Sequence, residues 1–176
     1  IYLQKHKDLH FPHKHTLYHL VLFTQGGGTQ AIDFRTFDVI PYHIYFMIPG
    51  QVHSWNFEGE VDGYVIHFSE DFFRSFLLAN DYLAQFPFFS GDSNDAAFNV
   101  SPELQPKIRS LFEDIVAESE ALDRMGIDVI RSLILQVFIL LARTIYDKEK
   151  TLHSTYNYTL LKNFRQLIEK NYATLR

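Results

Sequence analysis

Five histidines stand at positions from which imidazoles can be gathered into one place: His13, His15 and His19 within seven residues, His53 just beyond a Pro49-Gly50 turn, and His67. On an extended strand alternate residues share a face, so His13, His15 and His19 point the same way. Proline and glycine cannot extend a ladder, so Pro49-Gly50-Gln51-Val52 ends one strand and leads the next one in at His53. A neutral imidazole can hydrogen-bond a ligand or coordinate a metal. Four such rings, His13, His15, His19 and His53, could hold Zn²⁺, Ni²⁺ or Fe²⁺. The same four could instead hydrogen-bond a small polar molecule or serve the fold.

A pocket for such a molecule needs aromatic walls and a few convergent polar groups. Trp55, the single tryptophan, shares its face with His53 and reads equally as core filling or as a stacking platform. His67 shares its face with Gly63 and Val65, whose small side chains leave room beside it. Gln25 ends the first strand on the histidine face and could bond a hydroxyl. His6, His10, His43 and His153 read as surface residues. No nucleophile–base pair, phosphate loop or paired set of acids accompanies these residues. Ser69-Glu70-Asp71 and Asp92-Ser93-Asn94-Asp95 read as a cap and a loop.

The elements that must hold the histidines change character along the chain. Residues 13–25 alternate, with apolar side chains on both faces, which implies a strand covered on each side. Gly26-Gly27-Gly28 reads as a tight reversal and Thr29–Phe34 as the returning strand. Arg35–Asp38 reads as a turn. Further strands follow at 44–48, 53–57 and 63–68, a spacing typical of a sandwich or barrel. Residues 70–80 then suggest a short helix with Phe72, Phe73, Phe76 and Leu77 on one side. Residues 81–99 read as a loop that lays Phe86-Pro87-Phe88-Phe89 over the barrel. Ser101-Pro102-Glu103 has the makings of a helix start, with Leu104, Ile108, Leu111, Phe112, Ile115 and Val116 as the apolar face. A second helix is expected over 127–147. Its stripe of Ile130, Leu133, Ile134, Val137, Phe138 and Leu141 is joined by apolar residues on another side. So broad a surface suggests a helix pair shared by two subunits, with those six residues as dimerisation candidates. Residues 148–158 read as a linker, and a last helix begins near 159.

Composition sets the outer limits. The 176 residues are 47% apolar, with 17 Phe and 10 Tyr, which is a core-forming sequence. There is no cysteine, so thiolate metal sites and disulfides are excluded, as suits a reducing cytoplasm. A formal charge of −5 makes the chain by itself a poor partner for nucleic acid. The first residue is Ile and no signal peptide is apparent, so the natural N-terminus is expected to lie upstream. The greasiest run, Leu133–Ala142, is broken by Gln136 and falls short of the ~20 residues of a membrane span. A buried helix is the expectation, with no membrane partner.

Taken in order, these pieces resemble the sensor half of AraC-type transcription regulators. The resemblance rests on His13-Lys14-His15 with Tyr18 and the glycine turn, on Ile48-Pro49-Gly50-Gln51-Val52-His53, and on Tyr64-Val65-Ile66-His67-Phe68-Ser69. Leu160-Leu161-Lys162-Asn163-Phe164-Arg165-Gln166-Leu167-Ile168-Glu169 with Tyr172 resembles the first helix of that family's DNA-binding domain. The resemblance implies a mainly β then α fold: a cupin-like barrel over 1–100, a dimerisation hairpin over 101–147, and over 148–176 a linker with the start of a C-terminal helix. It implies a cytoplasmic homodimer, an activator that binds a small polar effector such as a sugar and contacts DNA only through a missing helix-turn-helix domain. Effector candidates are His13, His15, His19, Gln25, His53, Trp55 and His67, with no catalysis and no cofactor. The rival is a metal-dependent cupin enzyme, a dioxygenase or sugar isomerase, using His13, His15, His19 and His53. Metal-binding cupins usually place a glutamate where this chain has His19, and a small enzyme barrel needs no such helices.

Overall fold

The computed structural model describes residues 11–74, 82–121, 123–149 and 167. Eight strands come in the order β1 His13–Lys14, β2 Tyr18–Gln25, β3 Gly28–Ile32, β4 Arg35–Asp38, β5 His43–Met47, β6 Val52–Phe57, β7 Asp62–Phe68 and β8 Ala97–Asn99. They form two antiparallel four-stranded sheets, ordered β1-β6-β3-β4 and β7-β2-β5-β8. A short helix α1, Asp71–Arg74, is followed by the pair α2, Gln105–Ala121, and α3, Gly126–Glu149. This is the expected cupin-like barrel followed by helices.

The alternation in β2 and β5 decides which residues see which layer. Leu20, Leu22, Ile44 and Phe46 pack with Ile108, Leu111, Phe112 and Ile115 of α2 and with Ile134, Val137, Phe138 and Leu141 of α3. Val21, Phe23, Tyr45 and Met47 face the other way and pack inside the barrel with Ile32, Val39 and Trp55. A strand covered on both faces needs apolar residues at both parities, and β2 has them.

Several expectations change. The three glycines do not close a hairpin, because β2 and β3 belong to different sheets. They carry the chain across, and only Gly28 has a positive φ, +86°. Gly26 and Gly27 are needed for another reason: a Cβ would lie 2.7 Å from the Val39 side chain at the first and 2.4 Å from the Glu58 carbonyl oxygen at the second. Arg35–Asp38 is a strand, turned out of β3 at Asp33 and Phe34, with Asp33 at φ 51°. The supposed loop 81–99 contains 3-10 turns at Tyr82–Gln85 and Pro87–Phe89, and then β8. Phe88 and Phe89 do lie over the sheet, with Phe88 stacked 3.9 Å from Phe46. The helix after Ser101 starts at Gln105, because the Ser101 carbonyl takes the amides of both Leu104 and Gln105 in a preceding turn. The second helix runs on through Lys148 and Glu149, which were read as linker. Phe76, Leu77, the rest of the linker and nearly all of the C-terminal helix lie outside the described residues.

The largest correction concerns the dimerisation candidates. Ile134, Val137, Phe138 and Leu141 are at most 1% exposed in the single chain, because α3 lays this face on the sheet. A second copy cannot touch them while the barrel does. Of the six, Ile130 and Leu133 alone are partly open. Gly126–Tyr146 is long and apolar enough to cross a membrane by length and composition, yet five of its apolar side chains, Ala142 among them, are already covered by this core.

Phe138 is the hub of that core, with the rings of Phe46, Phe68, Phe73, Phe86, Phe88 and Phe89 all within 6.1 Å. Truncating a fully buried Phe costs about 3–5 kcal/mol, through lost transfer energy and the cavity left behind. Phe138→Ala is therefore expected to take a large share of the total stability and shift the urea midpoint strongly. Val129→Ala, at a site 37% exposed on the same helix, is expected to shift it little. Equal shifts would contradict this assignment of the core.

Candidate functional site

Strand register brings the histidines together. The β1–β6 ladder sets His13 opposite His53, and the β2–β7 ladder sets His19 opposite His67. His15 lies in the short link between β1 and β2. The ring centroids of His13 and His53 are 4.4 Å apart, those of His15 and His19 4.6 Å, those of His19 and His53 5.0 Å, and those of His19 and His67 4.1 Å. His19 and His53 are buried, His13 is half-buried, and His15 and His67 are exposed at the rim. The group forms the mouth of the barrel, and the apolar residues Val21, Phe23, Tyr45 and Trp55 fill the space beneath it.

The turn before His53 is tied down by two residues that the sequence reading passed over. Gly50 takes φ +91°, and its amide donates to the His15 carbonyl at 2.9 Å. The Gln51 side chain accepts from the Ile48 amide at 2.9 Å and donates to the Asp33 carboxylate at 2.8 Å. The other oxygen of Asp33 accepts the Val52 amide at 3.0 Å. These bonds lock the end of β6 against the β3–β4 turn and against His15, which fixes where His53 enters. A glutamine next to a Pro-Gly turn hints at such a role, but its partner is 18 residues away and follows no local spacing.

The remaining candidates divide. Trp55 is buried one step further into the barrel, its ring 6.1 Å from His53. Gln25 is exposed and donates to Glu60 at 3.3 Å, six residues along β2 from His19 and so about 20 Å from the cluster. His43, expected at the surface, is half-buried at the other end of the barrel, where its Nδ1 lies 2.8 Å from the Tyr45 hydroxyl. Burial lowers the pKa of His43, and the Asp38 carbonyl partly offsets this. His6, His10 and His153 lie outside the described residues. Two hollows sit outside the barrel. A cleft of about 430 Å³ runs between β7 and the helix pair past His67, Phe112 and Ile134, and a groove of about 220 Å³ lies where α3 crosses β8. Neither gathers imidazoles as the mouth does, although the groove is lined by Asn94, Asp95, Asn99, Ser101 and Thr144.

A family model, the AraC-like ligand binding domain, matches residues 1–135. The chain belongs to this family. A search of curated proteins finds no match. The resemblance read from the His13-Lys14-His15 strand and the Pro49-Gly50 turn is thus borne out, and so is an effector-sensing role in an AraC-type regulator. Among the described residues neither ring nitrogen of His19 has a hydrogen-bonding partner, and the same holds for His53 Nε2 and Gln30 Oε1. Buried polar atoms left in this way cost about 1–3 kcal/mol each, so a polar occupant of the mouth gains by meeting them.

The rings are held neutral. Burial lowers the pKa of His19 to about 3, and the neighbouring His67, His53, His15 and His13 add to the effect. Burial also lowers His53 to about 4, with His13 next in weight and the Gln51 carbonyl opposing. His67 is lowered by loss of hydration where its ring lies on His19, and then by His15. His15 is lowered by the same two causes, with His13 as the neighbour. Above pH 6.5 folded and unfolded chains alike carry neutral rings. Below it the unfolded chain takes up protons that His19 and His53 cannot, so stability falls with pH, down to about 4 for His53 and about 3 for His19. At pH 5 each buried ring accounts for about 2 kcal/mol of lost stability. In chelator-treated protein, His19→Leu should therefore lose about 2 kcal/mol less than the parent between pH 7 and pH 5, measured by urea unfolding. An unchanged pH dependence would mean that His19 is not buried neutral.

Proposed function

We propose that the chain is the effector-sensing and dimerisation part of a cytoplasmic AraC-type regulator, and that it binds a small polar molecule at the histidine mouth. The observation that carries this reading is the convergence of five imidazoles, two of them buried with unmet nitrogens, at the open end of a barrel that is otherwise filled. A molecule bearing several hydroxyls or a carboxylate suits these groups, because each neutral ring can donate from one nitrogen and accept at the other. A sugar is one such molecule. Trp55 and Val65 lie just inside and supply apolar contact for its less polar face. The reading is of a binding domain without catalysis, in keeping with the family. DNA contact belongs to a helix-turn-helix domain further along the protein, and whether it activates follows from that domain.

Dimerisation, on this reading, uses the outer side of the helix pair. Val116, Met125, Ile127 and Val129 are each at least 37% exposed around the turn between α2 and α3, and Ile130 and Leu133 are partly open beside them. A two-fold contact there would set two DNA-binding domains for two half-sites.

Thermal-shift screening of sugars and hydroxy acids tests the effector. A ligand that prefers the folded state raises the melting temperature, by the equivalent of about 2.7 kcal/mol at one hundred times its Kd. The shift should vanish in His53→Gln and persist in Gln25→Ala. Persistence in both would move the site elsewhere. For the dimer, Val129→Glu with Leu133→Glu should halve the sedimenting mass while leaving the circular dichroism intact. Unchanged mass would remove this surface from the account.

A further inference from the structure

We propose that His13, His15 and His53 form a binding site for one first-row divalent transition-metal ion, with a coordination position left open toward the barrel mouth. Ring nitrogens of these three side chains all lie within 4.8 Å of one another. Three ligands around a tetrahedral ion stand about 3.4 Å apart, with metal–nitrogen bonds near 2.1 Å. His13 and His15 lie at the rim with solvent on one side, so side-chain rotation closes that gap without moving the core.

The hydrogen bonding around the rings prepares them for this. His13 Nδ1 lies 2.8 Å from the Phe11 carbonyl oxygen. A carbonyl can only accept, so in the neutral ring the proton sits on Nδ1 and the lone pair on Nε2. His53 has the same arrangement, with Nδ1 at 3.4 Å from the Gln51 carbonyl, and its Nε2 is buried with no partner among the described residues. Backbone carbonyls that hold the far nitrogen are how metal-ligating histidines are oriented. Gln51 is itself held by Asp33 and Ile48, so the support extends one layer further.

Ligand chemistry selects the ion. An all-imidazole set with no carboxylate suits zinc, nickel or copper and disfavours Mg²⁺ and Ca²⁺, which want oxygen. Three protein ligands leave a fourth position for water or for an oxygen or nitrogen donor arriving from solvent. The site goes beyond the sensor reading and does not rest on it, since the three side chains suffice.

Zinc binding to tag-free, chelator-stripped protein, followed by calorimetry and elemental analysis without any effector, tests the site. About one Zn²⁺ per chain is expected, removable by EDTA, unmatched by Mg²⁺ and accompanied by a rise in melting temperature. The double variant His13→Ala/His15→Ala changes only rim side chains and should weaken zinc at least roughly tenfold. His53→Gln should do the same, with circular dichroism confirming that it folds. Substoichiometric zinc in excess metal, or full affinity in the rim double variant, overturns the proposal. Neither result touches effector binding by metal-free protein, which the thermal-shift screen reads separately.

Discussion

The central strands β2 and β5 of the sheet β7-β2-β5-β8 are buried on both faces, and this double burial is the constraint on which the site depends. Leu20 and Leu22 lie under the helices while His19, Val21 and Phe23 face the barrel interior. Side chains alternate with period two, so a slip of β2 by one residue would push His19 into the phenylalanine layer around Phe138. An imidazole there would lose its hydration among rings that offer no partner. Fully burying a leucine or phenylalanine side chain is worth about 1.5–3 kcal/mol, and β2 and β5 together bury eight apolar side chains in correct register. The register that places His19 at the mouth is therefore set by its apolar neighbours rather than by the histidines.

The histidines work against the fold. His19 and His53 are buried, neutral and incompletely bonded, in a region where apolar residues would pack at no such cost. The barrel tolerates them because the aromatic layer on the other side of the sheet, centred on Phe138, supplies the stability. The division of labour runs along the barrel: its lower part is filled with apolar side chains, while near its mouth His19 and His53 carry buried nitrogens with no hydrogen-bonding partner among the described residues. Local destabilisation at the point of binding is what a receptor domain needs, since a partner that satisfies these atoms recovers energy the folded chain has left unclaimed.

Much of this could be read from residues alone, and the reason is periodicity. Alternation exposed both faces of β2, but the common parity of His13, His15 and His19 presumed one strand over 13–25. The chain leaves β1 after Lys14 and changes sheet before β2, so the β1–β6 and β2–β7 ladders bring the rings together. The 3.6-residue stripe of α3 was equally plain. What the stripe cannot say is which body covers it: Ile134, Val137, Phe138 and Leu141 fit a second subunit as well as a sheet, and the sheet has them. β4 escaped notice because Arg35-Thr36-Phe37-Asp38 lies at a sheet edge and buries almost nothing, so no hydrophobic pattern marks it. The glycines were seen for their conformational freedom, while all three are required by close contacts with Val39, Glu58 and Asn56, which lie 13, 31 and 28 residues further along. The Asp33–Gln51 clasp is legible only in three dimensions, because it joins the turn after β3 to the turn before β6.

On the proposed reading, the short distance between the histidine cluster and the helices would give the fold its means of response. His19 and Leu20 are consecutive, so β2 cannot move at one without moving at the other. Leu20 lies in the same cluster as Phe138, which means that one strand separates the mouth from α3. Sheets and packed cores deform little in place and change by switching between packings. An occupant that draws His19 toward His15 and His53 would favour whichever seating of α3 accommodates the accompanying shift of Leu20 and Leu22. The effect is limited to the difference in its affinity for the two seatings. On the proposed reading, affinity at the histidine cluster and the position of α3 would form a single equilibrium, joined through the two faces of β2.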